Sequence, residues 1–156
     1  MPVEIEKKFL LKYLPAHLLS EPVPICQGYL VKNKDKVIRI RLYGDQAFIT
    51  IKSQSINCRR NEYEYPVPVA EAKEMISLFC VSACIEKDRY HVHHKGFEWV
   101  IDRFKGANHG LIVAEIELEA IDQAFEIPEW IGKEVSHDPR YYNANLIDHP
   151  FSDWQR

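Results

Sequence analysis

The sequence lacks most of the features that would betray its class at a glance. It has no apolar run of about 18 residues, so no transmembrane helix is expected. Its opening, Met1-Pro2-Val3-Glu4-Ile5-Glu6, puts acids where a secretory signal peptide needs a basic and then an apolar stretch. The four cysteines (Cys26, Cys58, Cys80, Cys84) form no CxxC pair and no repeated spacing, and read as reduced thiols of a cytoplasmic protein. There is no glycine-rich nucleotide loop of the GxxxxGK[ST] or GxGxxG type. Six glycines and nine prolines are too few for a linker-rich chain. Positive charge is not in excess either: a net charge of −3 argues against a protein that coats nucleic acid. What remains is ordinary for a soluble domain, 46% hydrophobic and 28% charged. Its 156 residues, without internal repeat or boundary, are expected to form a single domain over 1–156.

Most of the chain alternates with period two, the signature of strands. The spacing predicts strands over Val3 to Leu11, Gln27 to Val31, Val37 to Tyr43 and Ala47 to Ser53. Others follow over Arg60 to Tyr65, Ile85 to Val92, Phe97 to Phe104 and Leu111 to Glu119. Eight short antiparallel strands at this spacing suggest a barrel or a sandwich. One helix interrupts them, with Ala72, Met75, Ile76 and Phe79 as its core-facing stripe. A second is expected after Asp138-Pro139, with Asp138 as N-cap and Leu146 near its end. Leu14 to Leu19 could form a short third.

The polar face of these strands carries the information. Glu4/Glu6/Lys8, Arg39/Arg41, Thr50/Lys52, Glu62/Glu64, Lys87/Arg89 and Glu115/Glu117 all use a two-residue spacing, which projects both side chains to one side. Any one such pair reads as a solvated face. Six together do not, because a solvated face mixes Ser, Thr, Gln, Asn and Lys, whereas this one is nearly all long charged residues in like-signed pairs. Like charges so placed repel, so stability does not ask for them. A site that binds an anion through cations and a metal through carboxylates would. The opposite face (Ile38, Ile40, Leu42, Ile49, Ile51, Ile116, Leu118) is apolar and should pack on helices. If the sheet closes, the charges point into its lumen.

Glu4-Ile5-Glu6-Lys7-Lys8-Phe9-Leu10 resembles the N-terminal ExExK signature of the CYTH superfamily, the triphosphate tunnel metalloenzymes. Further blocks fall in that family's order: Arg39-Ile40-Arg41, Thr50-Ile51-Lys52, Arg60 to Tyr65, Lys87-Asp88-Arg89, Asp102-Arg103-Phe104, Glu115-Ile116-Glu117, Gly132 to Val135 and Tyr141 to Leu146. The resemblance, closest to bacterial-type inorganic triphosphatases, covers nearly the whole chain. It implies an α+β, mainly antiparallel β fold: a closed eight-stranded barrel forming a triphosphate tunnel, with helices packed outside. It also implies a small-molecule triphosphate as substrate, with no nucleic acid or membrane partner expected and a monomer or homodimer as the assembly.

The resemblance implies Glu4, Glu6, Glu115 and Glu117 as ligands of Mg²⁺ or Mn²⁺, and all-oxygen donors suit such hard ions. Lys8, Arg39, Arg41, Lys52, Lys87, Arg89 and Lys133 are the candidate substrate cations; arginine can fork onto phosphate oxygens while lysine acts as a point charge. Seven cations against six carboxylates, plus one divalent ion, suit a polyanion. A metal-bound water would be the nucleophile, with the cations absorbing charge on the phosphoryl oxygens. Lys8 could orient the scissile phosphate or assist proton transfer, with Tyr29 beside it. Glu62 and Glu64 keep three readings open: support for the metal ligands, a second metal, or ion pairs with arginine. Asp102 joins the catalytic set without an assigned role. His91, His93 and His94 read as surface histidines, and Trp99, Trp130, Tyr141 and Tyr142 as packing. Asn143 and Asn145 could close one tunnel mouth. The leading reading is hydrolysis of inorganic tripolyphosphate to pyrophosphate and phosphate. The alternatives are a class IV adenylyl cyclase, a thiamine or nucleoside triphosphatase, and a polyphosphate-binding module without catalysis.

Overall fold

Alternation alone leaves open which partner each strand takes; a computed structural model, which describes residues 2–80 and 83–154, answers that. The strands are β1 (Val3–Leu11), β2 (Val23–Lys32), β3 (Lys36–Tyr43), β4 (Gln46–Ser53), β5 (Arg59–Pro66), β6 (Ile85–His94), β7 (Phe97–Phe104), β8 (Ile112–Leu118) and β9 (Ile131–Glu134). All pairings are antiparallel, in the order β5-β4-β3-β2-β6-β7-β8-β1. Pairing of β5 with β1 closes the eight-stranded barrel. Closure removes the open edges that would otherwise template aggregation.

The closing seam is divided. One edge of β1 pairs with β8 along most of its length. Its other edge meets β5 only at Val3 to Ile5, and from Phe9 onward it meets β9 instead. That ninth strand is absent from the sequence expectation. It can lie this close because Gly132 has no β-carbon: one placed there would sit 3.2 Å from the Leu10 carbonyl oxygen.

The outward face is apolar where something covers it. Helix α1 (Val69–Phe79) packs on β2, β3 and β4 through Ala72, Met75 and Ile76, over Ile40, Leu42 and Ile49. The stripe ends one turn early. Phe79, expected in the core, is exposed. The largest cluster joins Ile5, Phe9, Trp99, Ile116 and Trp130, with Phe125 set edge-on to Phe9 and Trp99. Burying aromatics of this size stabilises by a few kcal/mol each. Trp99 and Trp130 are therefore packing residues, as the sequence suggested.

The expected C-terminal helix is divided. Asp138 does cap it, accepting a hydrogen bond from the Arg140 N–H, but the cap opens a single 3₁₀ turn over Pro139–Tyr141. Tyr142 is extended, and α2 (Asn143–Asp148) then starts afresh. Ala16–Leu18 is likewise a 3₁₀ turn rather than a helix. No helix among the described residues is long and apolar enough to cross a membrane.

Candidate active site: the charged lumen

The lumen is a cavity of about 710 Å³. Twelve of the fourteen residues singled out from the sequence line it: Glu4, Glu6, Lys8, Arg39, Arg41, Lys52, Glu62, Glu64, Lys87, Arg89, Glu115 and Glu117. They converge because each lies at the lumen-facing parity of its strand. At one end the same parity turns apolar. Ile85, Phe104 and Val113 meet Leu10, Tyr141 and Leu146 and fill the barrel there.

The lumen is polarised by topology. Glu6 lies directly opposite Glu117, and Lys8 opposite Glu115, on the adjacent strands β1 and β8. Arg39 and Arg41 come from β3, three strands from β1 and four from β8 around the ring of eight, and thus across the lumen. Burial pushes Glu6 up to about 8, and the Glu115 and Glu4 carboxylates beside it add to the effect. Glu115 goes the other way, down to about 2: burial would raise it, but the Lys8, Arg89 and Lys87 cations prevail. Lys8 Nζ sits 3.6 Å from Glu115 Oε1 and donates to the Tyr141 carbonyl oxygen at 3.0 Å. Four carboxylates from two neighbouring strands, with burial and mutual repulsion opposing the ionisation of Glu6, fit a hard divalent cation. The donors of these four side chains are all oxygen.

The opposite wall is short of negative charge. Arg39 Nε is buried with no hydrogen-bond partner among the described residues. A buried orphan donor on a guanidinium costs free energy that an incoming oxyanion recovers. Burial pushes Arg41 below its ordinary value, with Arg39 and Arg89 adding their repulsion. Burial likewise pulls Lys52 down to about 8, with Arg39 contributing and Glu4 opposing. Lys52 Nζ lies 3.0 Å from Glu4 and 3.2 Å from Glu62, while Glu64 accepts from Thr50 Oγ1 at 2.7 Å and lies 3.5 Å from Arg39. Glu62 and Glu64 thus pair with cations in this structure.

Asp102 does not line the lumen. It shares the lumen-facing parity of its strand but is fully buried beneath the cations, holding Arg89 through two hydrogen bonds of 2.8 and 2.9 Å and Lys87 at 2.7 Å. Both oxygens are engaged, so the carboxylate orients cations rather than touching a ligand. Arg89 and Lys87 hold it well below the usual carboxylate range despite its burial. Burial pulls Lys87 down to about 7, with Asp102 opposing that and Arg89 reinforcing it. Lys87 also donates to Asn143 Oδ1 at 2.9 Å, and both Asn143 and Asn145 line the cavity, at its C-terminal wall.

Lys133 is a correction. It is exposed on β9 and lines a separate hollow outside the barrel. The expectation placed it inward from sequence order alone. A four-residue edge strand outside the closed ring has no lumen face to offer.

Three participants went unassigned. Arg60 lines the lumen 3.9 Å from Glu4, and its two-residue spacing from Glu62 and Glu64 was a visible signal. Gln27 and Thr50 are fully buried: Gln27 Oε1 accepts from Arg41 Nε at 2.9 Å and its Nε2 donates to Tyr29 Oη at 2.7 Å, while Thr50 Oγ1 accepts from Arg39. The sequence placed Thr50 on the charged face beside Lys52 without a role, and Gln27, being uncharged, leaves no mark in a charge pattern.

A CYTH domain matches residues 3–145. The inorganic triphosphatase of Acetivibrio thermocellus is 43% identical over 155 residues, 99% of each chain. That of Nitrosomonas europaea is 37% identical over 147 residues, 92% of this chain and 95% of its own. A solved structure of an inorganic triphosphatase superposes with a TM-score of 0.66 at 35% identity, over 92% of this chain and 96% of that one. Barrel, lumen parity and likeness along nearly the whole length agree: the chain belongs to the CYTH family.

Proposed function

We propose that this protein is a metal-dependent inorganic triphosphatase, hydrolysing tripolyphosphate to pyrophosphate and orthophosphate in a reducing, cytoplasmic setting. The observation that carries the reading is the polarised lumen. Arginines with an orphan buried donor face a four-carboxylate patch across one cavity. Relatives named inorganic triphosphatase, similar from end to end, support the same substrate class.

In this reading Arg39, Arg41, Lys52, Lys87 and Arg89 clamp the phosphates and, already held in place, absorb charge that grows on the phosphoryl oxygens. Gln27 orients Arg41, Thr50 orients Arg39, and Asp102 orients Arg89 and Lys87. Lys8, fixed by the Tyr141 carbonyl and Glu115, presents its ammonium beside the carboxylate patch. Glu4, Glu6, Glu115 and Glu117 would hold Mg²⁺ or Mn²⁺, which would supply Lewis acidity and lower the pKa of a bound water.

Tripolyphosphate, ATP and thiamine triphosphate offered in parallel, with phosphate, pyrophosphate and cyclic AMP all measured, test this. Tripolyphosphate should be cleaved only when Mg²⁺ or Mn²⁺ is added after EDTA treatment. Cyclic AMP as the main product, or no cleavage of tripolyphosphate, would overturn it.

A further inference from the structure

The divided seam of the barrel leaves a group of potential ligands that the lumen does not use. After Ile5, β1 parts from β5, and β9 takes that edge only from Phe9. Across the gap, the Glu6 N–H donates to the Cys58 carbonyl at 3.1 Å and the Lys8 N–H to Ser136 Oγ at 2.9 Å. Cys58 ends the β5 side of the gap; Glu134 and His137 belong to the β9 side. One ligand atom from each of the three lies within 4.8 Å of the others, and Cys58 Sγ is 3.9 Å from His137 Nε2.

We propose that Cys58, Glu134 and His137 form a second metal site, for a borderline-soft divalent cation of the Zn²⁺ class, set on the outer barrel wall and bridging β5 to β9. The geometry is close to what such an ion needs. Tetrahedral Zn²⁺, with a Zn–S bond of about 2.3 Å and a Zn–N bond of about 2.0 Å, sets sulfur and nitrogen roughly 3.5 Å apart. The observed 3.9 Å differs by a few tenths of an ångström. Glu134 and His137 are exposed and can rotate inward, while Cys58, 9% exposed, is fixed by its turn. The donor set of one sulfur, one imidazole nitrogen and one carboxylate oxygen matches Zn²⁺ rather than Mg²⁺ and leaves a fourth position to water.

The surroundings are suited to it. Ser136 Oγ donates to Glu134 Oε2 at 2.6 Å, orienting that carboxylate and leaving Oε1 for the ion. The site opens into a hollow of about 700 Å³ that gives an ion an entry path. Lys7 and Lys133 line this hollow, but Glu134 and Asp138 offset them, and the Cys58 proton leaves to solvent on binding, adding one negative charge. Cys58 borders both this hollow and the lumen. An ion here would therefore brace the stretch of β1 that sends Glu6 and Lys8 inward, whatever the lumen binds.

Co²⁺ is the probe, because a thiolate ligand gives it a charge-transfer band in the near ultraviolet that carboxylates do not. The reduced protein, with Mg²⁺ in excess, should develop that band up to one equivalent of Co²⁺ and lose it to one equivalent of Zn²⁺. Cys58→Gly should abolish it. This variant should fold, since Asn57 and Cys58 have φ of 50° and 66° in a two-residue turn closed by Ile56–Arg59 backbone bonds, and such turns prefer Asn-Gly. His137→Ala should shift the titration midpoint at least tenfold higher. A parent without the band, a band persisting in Cys58→Gly (which would assign it to another thiol), or a His137→Ala midpoint equal to the parent's would each overturn the proposal. None of these outcomes bears on the triphosphatase reading.

Discussion

Asp102→Asn separates a residue that arranges the lumen from one that touches what it binds. The side chain keeps its shape and loses its charge. In the parent, the fully buried Asp102 neutralises the buried Lys87 at 2.7 Å and Arg89, whose side chain is 13% exposed, at 2.8 and 2.9 Å. Removing one partner of a buried ion pair costs about 3–5 kcal/mol, because the remaining charge stays desolvated. For a chain of this length 1 kcal/mol corresponds to about 2–4 °C in Tm, so the metal-free variant should melt roughly 6–20 °C below the parent. The loss should be partly reversible by ligand. Tripolyphosphate brings negative charge to the same two cations, so saturating tripolyphosphate in EDTA should raise the Tm of Asp102→Asn more than that of the parent. Differential scanning calorimetry of both proteins, with and without tripolyphosphate, reads this directly. If Asp102→Asn melts with the parent, or if tripolyphosphate leaves the gap between them unchanged, Asp102 does not hold the two cations for an anion.

Arg41→Ala should bind tripolyphosphate at least tenfold more weakly without metal, whereas Glu6→Gln, which removes a negative charge facing a polyanion, should bind as well as the parent or better; with metal, both should lose most turnover. Calorimetric titration in EDTA beside a phosphate-release assay checks this, and equal losses of affinity would refute the division of labour. Glu6 also makes stability depend on pH. Its folded pKa of about 8 lies above the ordinary 4.5, so the folded state binds the extra proton and its contribution, complete below 4.5, declines as pH rises toward 8. Between about pH 5 and about pH 7 the metal-free parent should therefore lose stability that Glu6→Gln retains, as urea midpoints will show; parallel slopes for the two proteins would contradict it.

The eight barrel strands were legible because lumen and exterior impose opposite chemistry on alternate residues, so each strand writes its phase into the sequence. The same contrast exposed twelve site residues, since long like-charged pairs have no stability reason to exist. Where no such contrast acts, the sequence is silent. β9 is four residues long and exists because β5 leaves the edge of β1 after Ile5, an event encoded more than 100 residues away. Its phase could not be read, and Lys133 was placed inward for that reason. The divided C-terminal helix has a similar cause: Lys8 takes the Tyr141 carbonyl and Lys87 takes Asn143 Oδ1, contacts on both sides of the extended Tyr142, so that the element Asp138 caps stops after one turn. Asp102 shows the limit most clearly. Its charge and its parity marked it for the site, but the same two facts describe a metal ligand, a general base and a counter-ion equally well. Only the pairing of Arg89 with Asp102 across β6 and β7 places the carboxylate behind the cations and separates these roles. A sequence pattern can therefore assign a residue to a lumen, while the register of neighbouring strands decides what that residue does there.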